Sequence, residues 1–346
     1  MPALRFARSA LAGMIVWSVL LFVPLAAGEG VFDLVARLVL LAVLVVVPLL
    51  LEAASDVWGR DALPMRLASR ASLAAGLLAA ASFLAPTGPR GGAIALGWAV
   101  FSVLVAWEGA RRLWAMRQRR LWRTEEVSLA LGMVALPGGA AWLVMARAGI
   151  DPGPYGDLIV LLTAIHFHYA AVVVPMWAGY LGRALRERWP GAHRAYSVLV
   201  AASIAGTPLV ALGIALSKTP AGGTAAETLG VLLLCTGAVG LGGLAVIVAS
   251  RLDQRWNQMM IGVSGASLIL GMGLALWFHL GDPLGIGAPD VAWMVPRHGW
   301  VNGVGFALWG ALGWRRLRPR PAASPEATSP EASPAPESEA ASGALS

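Results

Sequence analysis

The chain has 346 residues, 58% of them hydrophobic and 13% charged, and its formal charge of +7 comes from arginine with a single lysine, Lys218. Soluble domains carry about 25% charged residues, so this chain cannot cover a globular surface with polar groups, and with a mean hydropathy of +0.69 its solvent must be lipid. The arginines lie in short loops between apolar runs, not in a patch interleaved with aromatics, which excludes a nucleic-acid partner.

Ten apolar stretches follow in chain order, near residues 9–27, 31–51, 70–87, 91–110, 125–147, 156–182, 195–217, 227–250, 257–280 and 296–315. Each approaches the roughly 20 residues that a bilayer requires. Backbone groups in hydrocarbon need internal hydrogen bonds, so each stretch must be a helix. The alternating segments of about ten residues that mark a β-barrel are absent from the sequence. The expected fold is all-α, a polytopic transmembrane bundle of about ten helices within residues 1–317. Arg5 and Arg8 precede the first stretch, and Ala26, Ala27 and Gly28 imitate a cleavage site. The apolar part is longer than the core of a signal peptide, so a retained helix is expected. Residues 318–346, rich in Pro, Ala, Ser and Glu, have almost nothing to bury and are expected to form a disordered cytoplasmic tail. Cys235 sits in an apolar run with no second cysteine to pair with. Nothing in the sequence resembles a phosphate-binding loop or a dinucleotide fingerprint.

Charge sorts the loops. Arg5 and Arg8; Arg60, Arg66 and Arg70; the six arginines from Arg111 to Arg123; Arg183 to Arg194; Arg251 and Arg255; and Arg315 to Arg320 form one set. These loops alternate with a poor set that holds only Arg90, Arg147, Lys218 and Arg297. By the positive-inside rule both termini are expected in the cytoplasm, in a multi-pass protein of the cell (inner) membrane.

Ionisable groups at membrane depth are costly and mark function by default. Arg37 follows Asp33 by four residues, a spacing that suits a local ion pair or leaves Arg37 to meet an anionic ligand. Glu108, beside Arg111 and Arg112, reads as paired or snorkelling. In the sixth stretch, His166 and His168 lie about nine and eleven residues from Asp157, roughly 14–17 Å into the membrane at 1.5 Å per residue. Two residues apart on a helix is about 200° of rotation, so a regular helix cannot turn both onto one metal. Pro175 disturbs the turn before it. His279 ends the ninth stretch. In the tenth, His298 and Asn302 share one face at i,i+4, and Gly299 and Gly303 form a G-x-x-x-G pattern that suits close helix packing. Most of these groups fall between the midplane and the arginine-poor side, which suggests a cavity opening outward and floored by His166 and His168.

The segment LTAIHFHYAAVVVP and the later RHGWVNGVGF resemble the YndJ-like family of bacterial integral membrane proteins. Thr163, His166, Phe167, His168 and Tyr169 match the first motif of that family, with Ala171 where Gly is expected and Val172 where Phe is expected. His298, Gly299, Asn302, Gly305 and Phe306 match the second, with Gly303 in place of Ala. The family's activity is uncharacterised, although a transporter label is sometimes attached to it. The resemblance implies which residues matter more than what they do.

Besides a purely structural role, in which neutral imidazoles bond across helices, three functions fit these residues. A secondary transporter or permease would use His166, His168, His298, Asn302, Arg37, Tyr169 and Thr163 to bind a small molecule or ion, or to carry protons near the midplane. A haem- or transition-metal-binding oxidoreductase or sensor would draw ligands from His166, His168, His298 and His279, with Asn302 behind them. A lipid- or isoprenoid-modifying enzyme would use a histidine as general base, but the sequence lacks a D-D-x-x-D carboxylate cluster. Transport is the favoured expectation. The sequence names no substrate, coupling ion or oligomeric state.

Overall fold

The computed structural model describes residues 5–58, 62–217 and 222–317. The tail expected at 318–346 and Lys218 lie outside the described residues. Ten helical rods account for the described chain, and no strand occurs among those residues. They are α1 (Arg5–Leu20), α2 (residues 31–58), α3 (Leu63–Leu84), α4 (Pro89–Arg119), α5 (Thr124–Ala148), α6 (Asp157–Arg188), α7 (His193–Leu216), α8 (Thr224–Ala249), α9 (Arg255–Leu280) and α10 (residues 291–316). Eight of them, α2 to α9, are long and apolar enough to cross a bilayer. The chain is thus a multi-pass membrane protein built as a helical bundle.

Hydropathy decides which rod is central. The window of α2 has a mean hydropathy of 3.0 and is 89% buried, whereas the windows of the other seven long helices are 22–44% buried. A helix that is apolar all round must be enclosed by protein. Accordingly α1, α3, α6 and α10 pack around α2. Two sets of antiparallel neighbours flank this centre, α3–α4–α5 on one side and α7–α8–α9 on the other.

Helix ends follow local chemistry. The first apolar stretch reaches residue 27 in sequence, but α1 stops at Leu20. Pro24 has no N–H to offer the Leu20 carbonyl. The Arg37 guanidinium takes its place, donating through Nη1 to Leu20 O and through Nη2 to Val23 O at 3.2 Å. At the other end of α1, the buried Glu52 carboxylate of α2 accepts from Ala7 N at 3.3 Å. Arg147 fastens the arginine-poor end. Almost fully buried, it donates to Ser82 O, Ala26 O, Ala85 O and Thr87 Oγ1 at 2.7–3.1 Å and lies over the Phe83 ring.

At the arginine-rich end the carboxylates are matched by guanidinia. Glu108 meets Arg111 and Arg112, Glu125 meets Arg186 and His193, and Glu126 meets Arg183.

Three helices leave regular winding. α2, α6 and α10 each contain a π-helical segment, at Ala42–Val46, Phe167–Val173 and Val301–Leu308. Two have an evident cause. Pro48 and Pro175 lack the N–H that would bond the carbonyl four residues back, and their rings crowd it. Those carbonyls belong to Leu44 and Ala171, both inside the widened turns. The third segment has no downstream proline, and runs through Gly303 and Gly305.

Candidate functional site

The three π segments touch one another pairwise. α2, α6 and α10 begin at the arginine-poor end, at residues 31, 157 and 291, and their π segments begin at 42, 167 and 301. The offsets are 42 − 31 = 11, 167 − 157 = 10 and 301 − 291 = 10 residues. At 1.5 Å per residue each is about 15–17 Å, half of a hydrocarbon core of about 30 Å. The widened turns therefore meet at one level, near the middle of the bundle. π turns inside α-helices often mark functional sites. Both histidine-bearing motifs lie at these turns.

The junction is closed by hydrogen bonds between the helices. Tyr169 Oη donates to Leu38 O at 2.9 Å, and Tyr180 Oη, three turns later, donates to Leu50 O at 2.6 Å, so α6 is strapped to α2 twice. Trp177 Nε1 donates to Ser264 Oγ at 3.0 Å, and Ser264 Oγ donates to Phe306 O at 2.7 Å, which joins α6, α9 and α10. Ser128 of α5 donates to Pro175 O at 2.7 Å. Gly299 and Gly303 allow α10 to lie on Leu38 of α2, where a Cβ would come within 2.6 Å and 2.9 Å of the leucine methyls. The G-x-x-x-G pattern is a packing surface here.

The two histidines of the first motif part company. His168 has no accessible surface. Its Nδ1 lies 2.7 Å from Ala164 O, and its Nε2 lies 3.0 Å from Trp98 Nε1 of α4. A carbonyl only accepts and an indole N–H only donates, so the ring is neutral, protonated at Nδ1 and satisfied at both nitrogens. It also stacks with Trp98, at 6.1 Å between centroids and 26° between planes. Gly139 of α5 makes room for it, since a Cβ there would lie 2.9 Å from Nδ1.

His166 turns the other way. Its Nδ1 lies 2.6 Å from Leu162 O, so this nitrogen also carries the proton, and Nε2 is left with an open lone pair. The ring itself is exposed. Thr163 and Ile159 share this face of α6 at i−3 and i−7 and are also accessible. Thr163 Oγ1 donates back to Ile159 O at 2.7 Å.

His298 approaches from α10. It lies within electrostatic reach of His166. Its Nδ1 donates to Gly271 O of α9 at 3.0 Å, which again leaves Nε2 open. Asn302 donates through Nδ2 to His298 O at 2.9 Å and sits 3.3 Å from His298 Nδ1. Gly271 makes space for the amide, because a Cβ there would collide with its Nδ2 and Oδ1. The amide oxygen accepts no bond. His166, His298 and Asn302 thus present three acceptors, two imidazole lone pairs and one amide oxygen, beside one spare donor, the second Nδ2 hydrogen of Asn302.

The remaining candidates lie elsewhere. Tyr169 belongs to the strap on α2. Arg37 holds Asp33 through two bonds of 2.6 and 2.7 Å in addition to capping α1. His279 bonds to α8, through Nε2 to Thr228 Oγ1 at 2.9 Å, with Nδ1 3.7 Å from Glu227. Among the described residues no three His, Cys, Asp or Glu side chains converge to hold a metal. Sequence reasoning passed over Trp98, Gly271 and Pro48. Pro48 carried a readable signal, a proline inside the most apolar run.

Comparison with known proteins agrees with the motifs. A family model described as YndJ-like protein matches residues 37–306. A relative named Uncharacterized membrane protein YndJ, from Bacillus subtilis (strain 168), is 31% identical over 225 residues. That alignment covers 65% of this chain and 38% of the relative, so the chain spans well under half of its length. No solved structure matches.

Proposed function

The chain belongs to the YndJ-like protein family, and from that premise we propose that it is a secondary transporter whose site takes a proton or a small cationic, hydrogen-bond-donating solute at His166, His298 and Asn302. The observation that carries this reading is the pair of open Nε2 lone pairs beside a level of widened turns, one of them on an exposed ring. Secondary transporters bind near the midplane at interrupted helices. Imidazole exchanges protons near neutral pH. Three acceptors against one spare amide N–H, with no cation among them, suit a donor-bearing solute better than an anion. In this reading the arginine-rich loops and both termini face the cytoplasm, and the accessible face through Ile159, Thr163 and His166 is the outward approach.

The test is reconstitution of the purified chain in liposomes loaded with a pH-sensitive dye. Under an imposed potential, His166→Ala and His298→Ala should each reduce proton flux by about tenfold or more, the low end of a proton-transfer contribution. Flux equal to wild type in both variants, or no flux above empty liposomes for any ion tried, defeats the proposal. The same lone pairs support a second reading, a transition metal or haem held by two imidazoles. A Soret band or stoichiometric metal in the purified chain, lost in His166→Ala, would favour it.

A further inference from the structure

The corner between α4 and α5, at the arginine-rich end, contains a cavity of about 290 Å³. Arg111, Arg112, Arg119 and Arg123 line it, together with Glu126 and the apolar Ala115, Met116 and Leu121. Its acidic neighbours are already engaged. Glu126 is held by Arg183 through two bonds of 2.7 and 2.8 Å, and Glu108 lies beneath Arg111 and Arg112. Counting Arg183, five guanidinia face two carboxylates, an excess of 5 − 2 = +3. Guanidinia recognise phosphate oxygens through paired N–H donors. Leu121 of the lining keeps 57% of its accessible surface, and Trp114 and Trp122, on the same segment of chain, keep 59% each. Tryptophan beside arginine at a helix end is the composition of a membrane interface.

We propose that this cavity is a binding site for the headgroup of an anionic phospholipid. The arginines hold the phosphodiester, and Ala115, Met116 and Leu121 lie along the glycerol and upper acyl chains. The apolar part of the lining selects a lipid over free phosphate, which has nothing to place there. Basic pockets between transmembrane helices are known lipid-headgroup sites. The site lies at the opposite side of the membrane from the approach to His166 and is independent of the transport reading.

The test uses the full chain in detergent, exchanged into mixtures of phosphatidylglycerol and phosphatidylcholine, with bound lipid counted by native mass spectrometry. Wild type should retain one phosphatidylglycerol in preference to phosphatidylcholine. The variant Arg119→Gln/Arg123→Gln should lose that preference by about thirtyfold, the effect of two basic side chains near an anionic headgroup. Both residues are exposed, so the fold should survive. The control Arg117→Gln/Arg120→Gln removes two charges from the same segment outside the cavity and should keep the bound lipid. An equal loss in the control would reduce the cavity to a diffuse basic patch and overturn the proposal. Displacement of the lipid by millimolar inorganic phosphate would overturn it too, by assigning the site to the free anion.

Discussion

Trp98→Phe separates the two histidines of the first motif. The substitution keeps an aromatic ring against Phe101, whose centroid is 4.8 Å away, but removes the N–H that His168 Nε2 accepts. His168 is closed to water, so nothing replaces that donor. Side-chain hydrogen bonds between membrane helices are worth about 0.6 kcal/mol on average and up to about 1.7 kcal/mol. A buried acceptor left open adds a penalty of about 1–3 kcal/mol, and that penalty dominates. Trp98→Phe should lower the unfolding free energy by about 1–3 kcal/mol, read by titrating mixed micelles with a denaturing detergent. His168→Leu should cost a similar amount because it leaves the indole N–H open. The double variant removes both partners, so its loss should fall short of the sum by about 1 kcal/mol or more. The lost indole volume enters both arms and cancels. Proton flux per folded molecule should be unchanged in Trp98→Phe. Additive losses, or flux abolished at unaltered stability, would refute the assignment of His168 to packing.

Other substitutions test the neighbouring parts. His166→Ala should shift the unfolding free energy by less than about 0.5 kcal/mol, because its one bond runs to its own helix, and it should remove flux; a large loss of stability would contradict an exposed ring with no partner on another helix. Tyr169→Phe and Tyr180→Phe each delete one bond to α2 and should cost about 0.6–1.7 kcal/mol apiece, additively in the same titration. Arg147→Gln takes its donor from the buried Ser82 carbonyl and from the half-buried Ala26 and Ala85 carbonyls and should cost about 3 kcal/mol or more, visible as a collapse in the yield of folded protein. Pro175→Ala returns an N–H to the Ala171 carbonyl; amide exchange at residues 171–176 should slow while flux falls.

The crossings were legible because hydrocarbon admits few backbone structures. Ten apolar runs became ten rods, and the most apolar of them became the axis. The histidine motifs were legible as chemistry, but not the division of labour within them. Rotation along a helix separates His166 from His168 without saying which one meets a partner. That depended on Trp98, 70 residues earlier, and on Gly139, which lets α5 come close enough to enclose the ring. The pairing of Arg37 with Asp33 was readable from their spacing. Its larger task, supplying Leu20 with the donor that Pro24 withholds, required α1 and α2 to be side by side. Glu52 was lost in an apolar run for the same reason, since its partner is the first turn of another helix.

The widened turns give a physical reason for a site at this depth. A π turn displaces carbonyls from the regular ladder, and at the bilayer midplane no water can satisfy them. Around the junction, neighbouring helices supply donors: Tyr169 to Leu38 O, Ser264 to Phe306 O and Ser128 to Pro175 O. The Leu44 carbonyl, opposite Pro48, lies directly against Gly13 of α1, where a Cα–H can approach it. The fold has thus found partners for backbone groups that its own winding disturbed. At the same level it leaves His166 Nε2, His298 Nε2 and Asn302 Oδ1 without one. None of the three is sealed in the core: His166 is exposed, and His298 and Asn302 are half-buried. Retaining all three together fits a guest that arrives bearing protons or positive charge. An anion would need Arg37, the nearest cation along α2, and its guanidinium is committed to Asp33, Leu20 and Val23. The acceptor-rich chemistry of the junction, more than the number of helices around it, is what gives the transport reading a substrate class.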